Sequence, residues 1–154
     1  PNIYGMKNVK WLTKINLVDS DIKGFWQHQG WSDVAIEQTM SRIDYPRPGT
    51  DLVAGVPVKA GGVAFAGSRG IKRVEFSSDN GRSWNDAKLE KPLSPLAWTI
   101  WTYNWTPPSE GRFSIMVRAT DGTGETQTNQ ENPPAPDGST GYHTVQVHAA
   151  KATA

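Results

Sequence analysis

The sequence predicts an all-β sandwich with an N-terminal appendage, and three observations carry that prediction. From Leu52 onward, strand-like runs recur about every ten residues, each closed by a turn. Phe113, Ile115, Val117 and Ala119 alternate with Ser114, Met116 and Arg118, the period of a strand with one buried face. No helix-period segment longer than two turns occurs along the chain.

The chain is organised around residues 56–84. Val63 and Phe65 alternate with small residues up to a turn bounded by Gly67 and Gly70, and Val74 and Phe76 then alternate with Glu75 and Ser77. Ser78-Asp79-Asn80-Gly81 is turn chemistry, because Asn and Gly tolerate positive φ and Asp bonds back to the backbone. Trp84 follows where a large ring folds back on that turn. Across Gly61-Gly62 the apolar positions change from even to odd, which predicts a β-bulge there. The run from Ser77 to Trp84 fits the S-x-D-x-G-x-x-W pattern of the Asp-box hairpin of β-propellers. A propeller repeats it at a period of about 40–50 residues, and here it occurs once, so it is read as a structural turn.

Ahead of this stretch, residues 1–5 read as extended. Val9, Trp11, Thr13, Ile15 and Leu17 then alternate with Lys10, Lys14 and Asn16, which predicts a strand, with Leu12 and Val18 on its second face. Residues 19–30 form a connector whose Phe25 and Trp26, with Trp31, predict aromatic packing. Ile36, Met40 and Ile43 mark a short extended segment that Tyr45-Pro46-Arg47-Pro48-Gly49 ends, since proline cannot continue a ladder. The resulting division is residues 1–50 as N-terminal strand and connector, and residues 51–154 as sandwich.

Beyond Trp84 come a short run at Ala87 to Leu89, a proline loop, and the aromatic strand of Trp98, Trp101, Tyr103 and Trp105. Apolar on both faces, that strand is central or lies beneath a partner surface. Its rings could stack on sugars, fill a core or form a subunit interface, with packing favoured. Pro107 to Gly111 and Asp121-Gly122-Thr123-Gly124 are turns, residues 123–136 are the least ordered by composition, and Tyr142, Val145 and Val147 give a last strand before a loose end at 149–154.

Composition bounds the chemistry. The 16 basic and 15 acidic residues are scattered, so no electrostatic footprint for nucleic acid exists. Zero cysteines exclude disulfides, thiolate ligands and a Cys nucleophile. No apolar run approaches the roughly 20 residues that span a bilayer, and the opening on Pro1, without Met or signal peptide, predicts a processed piece or an excised domain. No Ser/His/Asp grouping is visible, and His28, His143 and His148 lack a metal-ligand spacing. His143 and His148 fall on opposite faces of one strand. Asp33, Asp44 and Asp121 read as turn formers. On its own residues the chain is read as non-catalytic, with no metal site.

Several motifs occur in order along nearly the full length: Tyr4-Gly-Met-Lys-Asn-Val-Lys-Trp-Leu12, Gly24-Phe-Trp26, Ser41-Arg-Ile-Asp44, Gly62-Val-Ala-Phe-Ala-Gly67, Arg69-Gly-Ile71, Val74-Glu-Phe-Ser77, Arg118-Ala-Thr-Asp-Gly122, Thr123-Gly-Glu-Thr-Gln127 and Pro133-Pro-Ala-Pro-Asp-Gly138. Together they resemble the C-terminal dimerisation domain of sulfite-oxidase-type molybdenum enzymes, in particular bacterial molybdopterin oxidoreductases whose catalytic domain follows membrane helices. The resemblance implies an immunoglobulin-like sandwich of the E-set type that pairs two subunits into a homodimer. Beside it would lie an upstream molybdenum domain carrying the metal-ligating cysteine. It further implies two-electron oxygen-atom transfer at molybdenum, with water supplying the oxygen, and an extracytoplasmic or membrane-tethered location in a bacterium.

The family's Ser-Val-Lys stretch beside the pterin maps onto Asn8, Val9 and Lys10. Asn8 replaces the serine and keeps a hydrogen-bond donor, and Lys10 would offer a cation to the cofactor phosphate. Taken without the resemblance, Lys10 is the polar side of a half-exposed strand. The family's Trp-His-Arg in the last strand maps onto Tyr142, His143 and Thr144, so His143 and Thr144 would border the substrate pocket. Thr144 stands where a guanidinium would bind an oxyanion, and a hydroxyl does not replace that fork, which leaves the parent enzyme's substrate open. The reading from another class is an immunoglobulin-like extracellular binding module that uses the Trp-rich strand for carbohydrate or protein recognition.

Overall fold

A computed structural model describes residues 2–151. Among them the alternating segments become nine strands: β1 (Met40–Tyr45), β2 (Asp51–Val53), β3 (Val58–Phe65), β4 (Ile71–Ser77), β5 (Asn85–Asp86), β6 (Lys88–Leu89), β7 (Thr99–Trp105), β8 (Gly111–Asp121) and β9 (His143–Ala150). They form two sheets, ordered β1-β3-β7-β6 and β2-β9-β8-β4-β5. The β2–β9 pairing is parallel and the other ladders are antiparallel. This is the immunoglobulin-like β-sandwich. One helical turn, α1 (Phe25–His28), lies outside it, and no described helix is long and apolar enough to cross a membrane.

The core fills the space between the sheets. Val74 and Phe76 from β4, Trp101 and Trp105 from β7, Ile115 and Val117 from β8 and Val145 and Val147 from β9 are all buried there. Tyr103 stacks on Phe76 at 4.8 Å between ring centroids, and Trp105 meets Phe113 edge-on at 5.3 Å, both favoured aromatic arrangements. The chain changes sheets at buried Ala87: β5 before it pairs with β4, and β6 after it pairs with β7.

The predicted hairpin is built as its residue types require. Asn80 and Gly81 take φ of 60° and 79°. The Asp79 carboxylate accepts from Ser83 Oγ at 2.6 Å, Ser83 N–H at 2.9 Å and Ser77 Oγ at 2.8 Å, and Ser77 Oγ accepts from Gly81 N–H at 2.9 Å. Those bonds, led by the Ser83 hydroxyl, hold the Asp79 carboxyl at about 2. Trp84 folds back over the turn, its ring beside Gly81, with the Arg118 guanidinium 4.2 Å from its centroid.

The parity change at Gly61-Gly62 has a different origin from the one predicted. Ala60, Gly62 and Ala64 are buried in unbroken alternation, and β3 pairs with β7 without interruption through both glycines. The irregularity sits on the neighbouring strand, where β1 shifts register between Ile43 and Tyr45 opposite Gly62 and Gly61. The bulged β1 backbone lies against Gly62 so closely that a Cβ there would overlap the Arg42 carbonyl oxygen. A missing side chain therefore marked a close approach, not a flip. Gly62→Ala is expected to cost about 1–3 kcal/mol by overpacking, whereas Gly5→Ala, in open space, should leave the melting temperature unchanged; calorimetry of the two variants reads the difference.

Other expectations also change. Val9 to Leu17 form no strand: Trp11 takes φ 58°, which breaks an extended run, and no neighbouring strand offers a ladder. Ala149 is not loose; it is buried in β9, paired with Gly111 and Leu52, while residues 152–154 of the predicted tail, like Pro1, lie outside the described residues. The polar segment after Gly124 is pinned by buried Gln127, whose side chain accepts from Ser41 Oγ at 2.7 Å and Ala119 N–H at 3.2 Å and donates to Gly141 O at 2.6 Å. The first strand of the sandwich, β1, falls within the segment that the sequence assigns to the connector.

Candidate functional site

The chain ahead of β1 is anchored at both ends, at residues 2–4 and 32–39, and exposed between them. Asn2 accepts from Glu37 N–H at 2.9 Å through its carbonyl and from Ser68 N–H at 2.5 Å through its side chain. Ile3 bridges Ile36, and the Tyr4 hydroxyl accepts from Gln38 N–H at 3.0 Å. After a 3₁₀ turn at Gly5–Lys7 the chain runs out along the surface, with Lys7 and Lys23 pairing to Asp33 within the same segment, and it returns where Ser32 N–H donates to Pro136 O at 3.0 Å. Asn8, Val9 and Lys10 open this arm and are exposed. Trp11 and Leu17 are 92% and 99% exposed, and Leu12, Ile15, Val18, Ile22 and Phe25 also face solvent. The predicted aromatic cluster forms as Phe25, Trp26 and Trp31 in edge-on contacts, with Phe25 and Trp26 exposed and Trp31 half-buried.

Beneath the arm's anchor is a buried ion pair. Arg69 Nε donates to Asp121 Oδ2 at 2.8 Å, and its Nη2 donates to Glu37 O at 2.9 Å and Thr39 Oγ1 at 3.2 Å. The Thr123 hydroxyl donates to the second oxygen of Asp121 at 2.6 Å, and the backbone of Thr123 and Glu125 at 3.0 and 3.2 Å. Burial pushes the Asp121 carboxyl up, but Thr123, Arg69, Glu125 and Thr39 outweigh it and hold it at about 2. One side chain of the 3₁₀ turn at Gly67–Arg69, after β3, thus ties the β8 terminus to the segment that carries the arm. The sequence marked Asp121 as a turn former; nothing local in it announced Arg69 as its partner 52 residues away.

His143 and Thr144 occupy the start of β9 and, as strand neighbours, point to different sides. His143 Nδ1 accepts from Ile43 N–H at 3.1 Å, so the neutral ring closes an edge of β1 at its bulge. Burial lowers the imidazole pKa, the Arg42 charge lowers it further, and Asp44 opposes. Thr144 is exposed on the outer face, opposite Met116. No hydrogen bond or ion pair among the described residues joins Asn8, Val9 or Lys10 to His143 or Thr144. A depressed histidine binds protons more readily unfolded than folded, so stability should be full above the ordinary value of 6.5 and fall as pH drops below it, levelling under the folded-state value. His143→Ala should remove that limb of the stability–pH curve.

The aromatic strand divides. Trp101 and Trp105 are core residues and Tyr103 lies against Phe76, so these three rings present no platform outward. Trp98 alone of the four stands outside, 53% exposed, with Arg42 5.5 Å from its ring centroid.

Residues 34–149 match the family model described as the Mo-co oxidoreductase dimerisation domain. The chain belongs to this family. It is 28% identical over 143 residues to the mitochondrial sulfite oxidase of Rattus norvegicus, covering 79% of this chain and 26% of that protein. It is 27% identical over 154 residues to the sulfite oxidase of Gallus gallus, covering 86% and 34%. The chain thus spans about a quarter to a third of these relatives. Among solved structures, the sulfane dehydrogenase SoxCD of Paracoccus pantotrophus shares the fold at a TM-score of 0.60 and 23% identity, over 76% of this chain and 33% of that one. Fibronectin(III)-like modules of Clostridium thermocellum CbhA share it at 0.52 and 19%, over 74% and 100%. The dimerisation-domain match begins just before β1, leaving the exposed arm outside it.

Proposed function

We propose that this chain is the dimerisation and cofactor-supporting module of a molybdopterin-dependent, sulfite-oxidase-like oxidoreductase, working as a homodimer and borne by a bacterial, extracytoplasmic or membrane-tethered protein. The observation that carries the reading is the arm. It is apolar on more than one side and stands clear of the sandwich, a surface that water does not favour and that a second domain would cover. It leads with Asn8 and Lys10, an amide and an ammonium suited to a pterin edge and a phosphate.

The residues present do not fit the metal itself. The chain has no cysteine, and no group of three or more His, Asp or Glu among the described residues is placed to hold a metal ion. The metal's ligands would therefore belong to another part of the protein, and with it the chemistry of oxygen-atom transfer. What this chain contributes is rigid placement: Asn2, Tyr4 and the Arg69–Asp121 pair fix the base of the arm to the sandwich.

In the full gene product, Leu12→Lys with Leu17→Lys is expected to lower the molybdenum and pterin retained through gel filtration severalfold, with the far-ultraviolet spectrum unchanged. Retention equal to that of the unaltered protein would contradict the reading.

A further inference from the structure

Besides the arm, an apolar patch on the outer face of the β1-β3-β7-β6 sheet has no partner among the described residues. Directly paired residues share a face. Met40 opposes Phe65, and Arg42, Val63 and Ile100 form a row across three strands. Trp98 precedes Thr99, the partner of Ala64, and so stands on the same side as Ile100, which is 47% exposed. Farther along, the face turns polar with Thr102 beside Lys88, and Asn104 beside Lys59. The outer face of the other sheet is of another kind. Arg118 is bonded twice to Glu75 at 2.8 and 3.0 Å beneath Trp84, and Gln146 is bonded to Ser114 at 2.9 Å, so this face is polar and laced by its own side-chain bonds.

We propose that the apolar end of this face, formed by Met40, Val63, Phe65, Trp98 and Ile100, is where a second copy of the chain docks. The inference rests on the dimerisation reading above and names the surface. A two-fold interface lays one patch on itself, so the patch must be self-complementary. An apolar row meets itself without leaving buried charge unpaired, and Arg42 and Asp44, bonded at 2.7 Å on β1, place both signs at its border. The lysines lie at the opposite end, where a two-fold through the apolar rows would hold them apart. The arm does not suit this role: apolar on several sides and extended, it needs to be surrounded, and a flat self-pairing face does not surround it.

The test is light scattering of the full gene product across a dilution series. Trp98→Ala with Ile100→Lys should raise the dimer dissociation constant about tenfold or more, while Gln146→Lys, exposed on the other sheet, should not change it. A double variant that dimerises as tightly as the unaltered protein overturns the face assignment and leaves dimerisation standing. An unaltered protein that is monomeric throughout overturns both. A variant that stays dimeric but sheds its cofactor gives the face to another domain and likewise overturns the proposal. Oxidative footprinting of the unaltered protein reads the same surface without mutation: Trp98 should gain reactivity on dilution while Leu93, 100% exposed, stays constant. Trp98 reactivity independent of concentration contradicts the proposal.

Discussion

Asp121→Ala is expected to destabilise the sandwich by about 3–5 kcal/mol, the cost of breaking a buried ion pair from one side. Asp121 has no exposed side-chain surface, and its removal takes the acceptor from Arg69 Nε, from the Thr123 and Thr39 hydroxyls and from two backbone N–H groups, leaving Arg69 only its bonds to Glu37 O and Thr39. At this chain length that corresponds to roughly 6–20 °C in melting temperature. Arg69→Met should cost less, because Asp121 keeps its donors from Thr123 and Glu125 and the methionine stem fills part of the space. Equal losses in the two variants would show that the donors around Asp121 contribute little. Acid reports the same site: the folded carboxyl sits at about 2 against an ordinary 3.8, so its contribution is complete above about 3.8 and is lost as pH falls towards 2. Asp121→Asn should flatten that part of the acid-unfolding curve.

Trp101→Ala is the second large effect, at about 3–5 kcal/mol for a buried aromatic truncated to alanine. The ring is wholly buried between the sheets, and its Nε1–H donates to Arg42 O at 3.2 Å, on the bulged strand. Trp101→Phe keeps most of the volume and gives up that bond, so the loss should be near 1 kcal/mol beyond packing. Trp98→Ala, three residues earlier and outside, should alter folding by less than about 0.5 kcal/mol. Chemical denaturation of the three variants separates core from face within one short segment. A Trp101→Ala protein as stable as Trp98→Ala would contradict the assignment of Trp101 to the core.

These contrasts show where the sequence was legible. Period-two runs such as Phe113 to Ala119 declared β8 because alternation is a direct image of one buried face. The Asp79 hairpin was legible because its bonds are local, all within residues 77–83. The aromatic strand could be placed but not oriented: Trp98 and Trp101 look alike in sequence, and only pairing with β3 and β6 decides which turns inward. The alternation of Val9 to Leu17 was legible as apolar patterning and misleading as a strand. Pattern reports which side chains seek cover, and a ladder also needs a neighbour, which the described residues do not supply.

The candidate site was less legible for the same reason. Arg69 reaches Asp121, and His143 reaches Ile43, across separations of 52 and 100 residues, and no local period encodes such contacts. Gln127 lay in a stretch that composition marked as loose, because a single buried amide can fix a polar loop that has no apolar periodicity. The proposal that Asn8 to Lys10 face a cofactor rests on family resemblance alone; in the structure the three residues are exposed.

The most direct test of the central claim is the molybdenum content of the native gene product, measured per chain by elemental analysis of protein purified with any further sequence it carries. Stoichiometric molybdenum in a polypeptide longer than this chain is the predicted result. A purified native product free of molybdenum and of pterin would contradict the account.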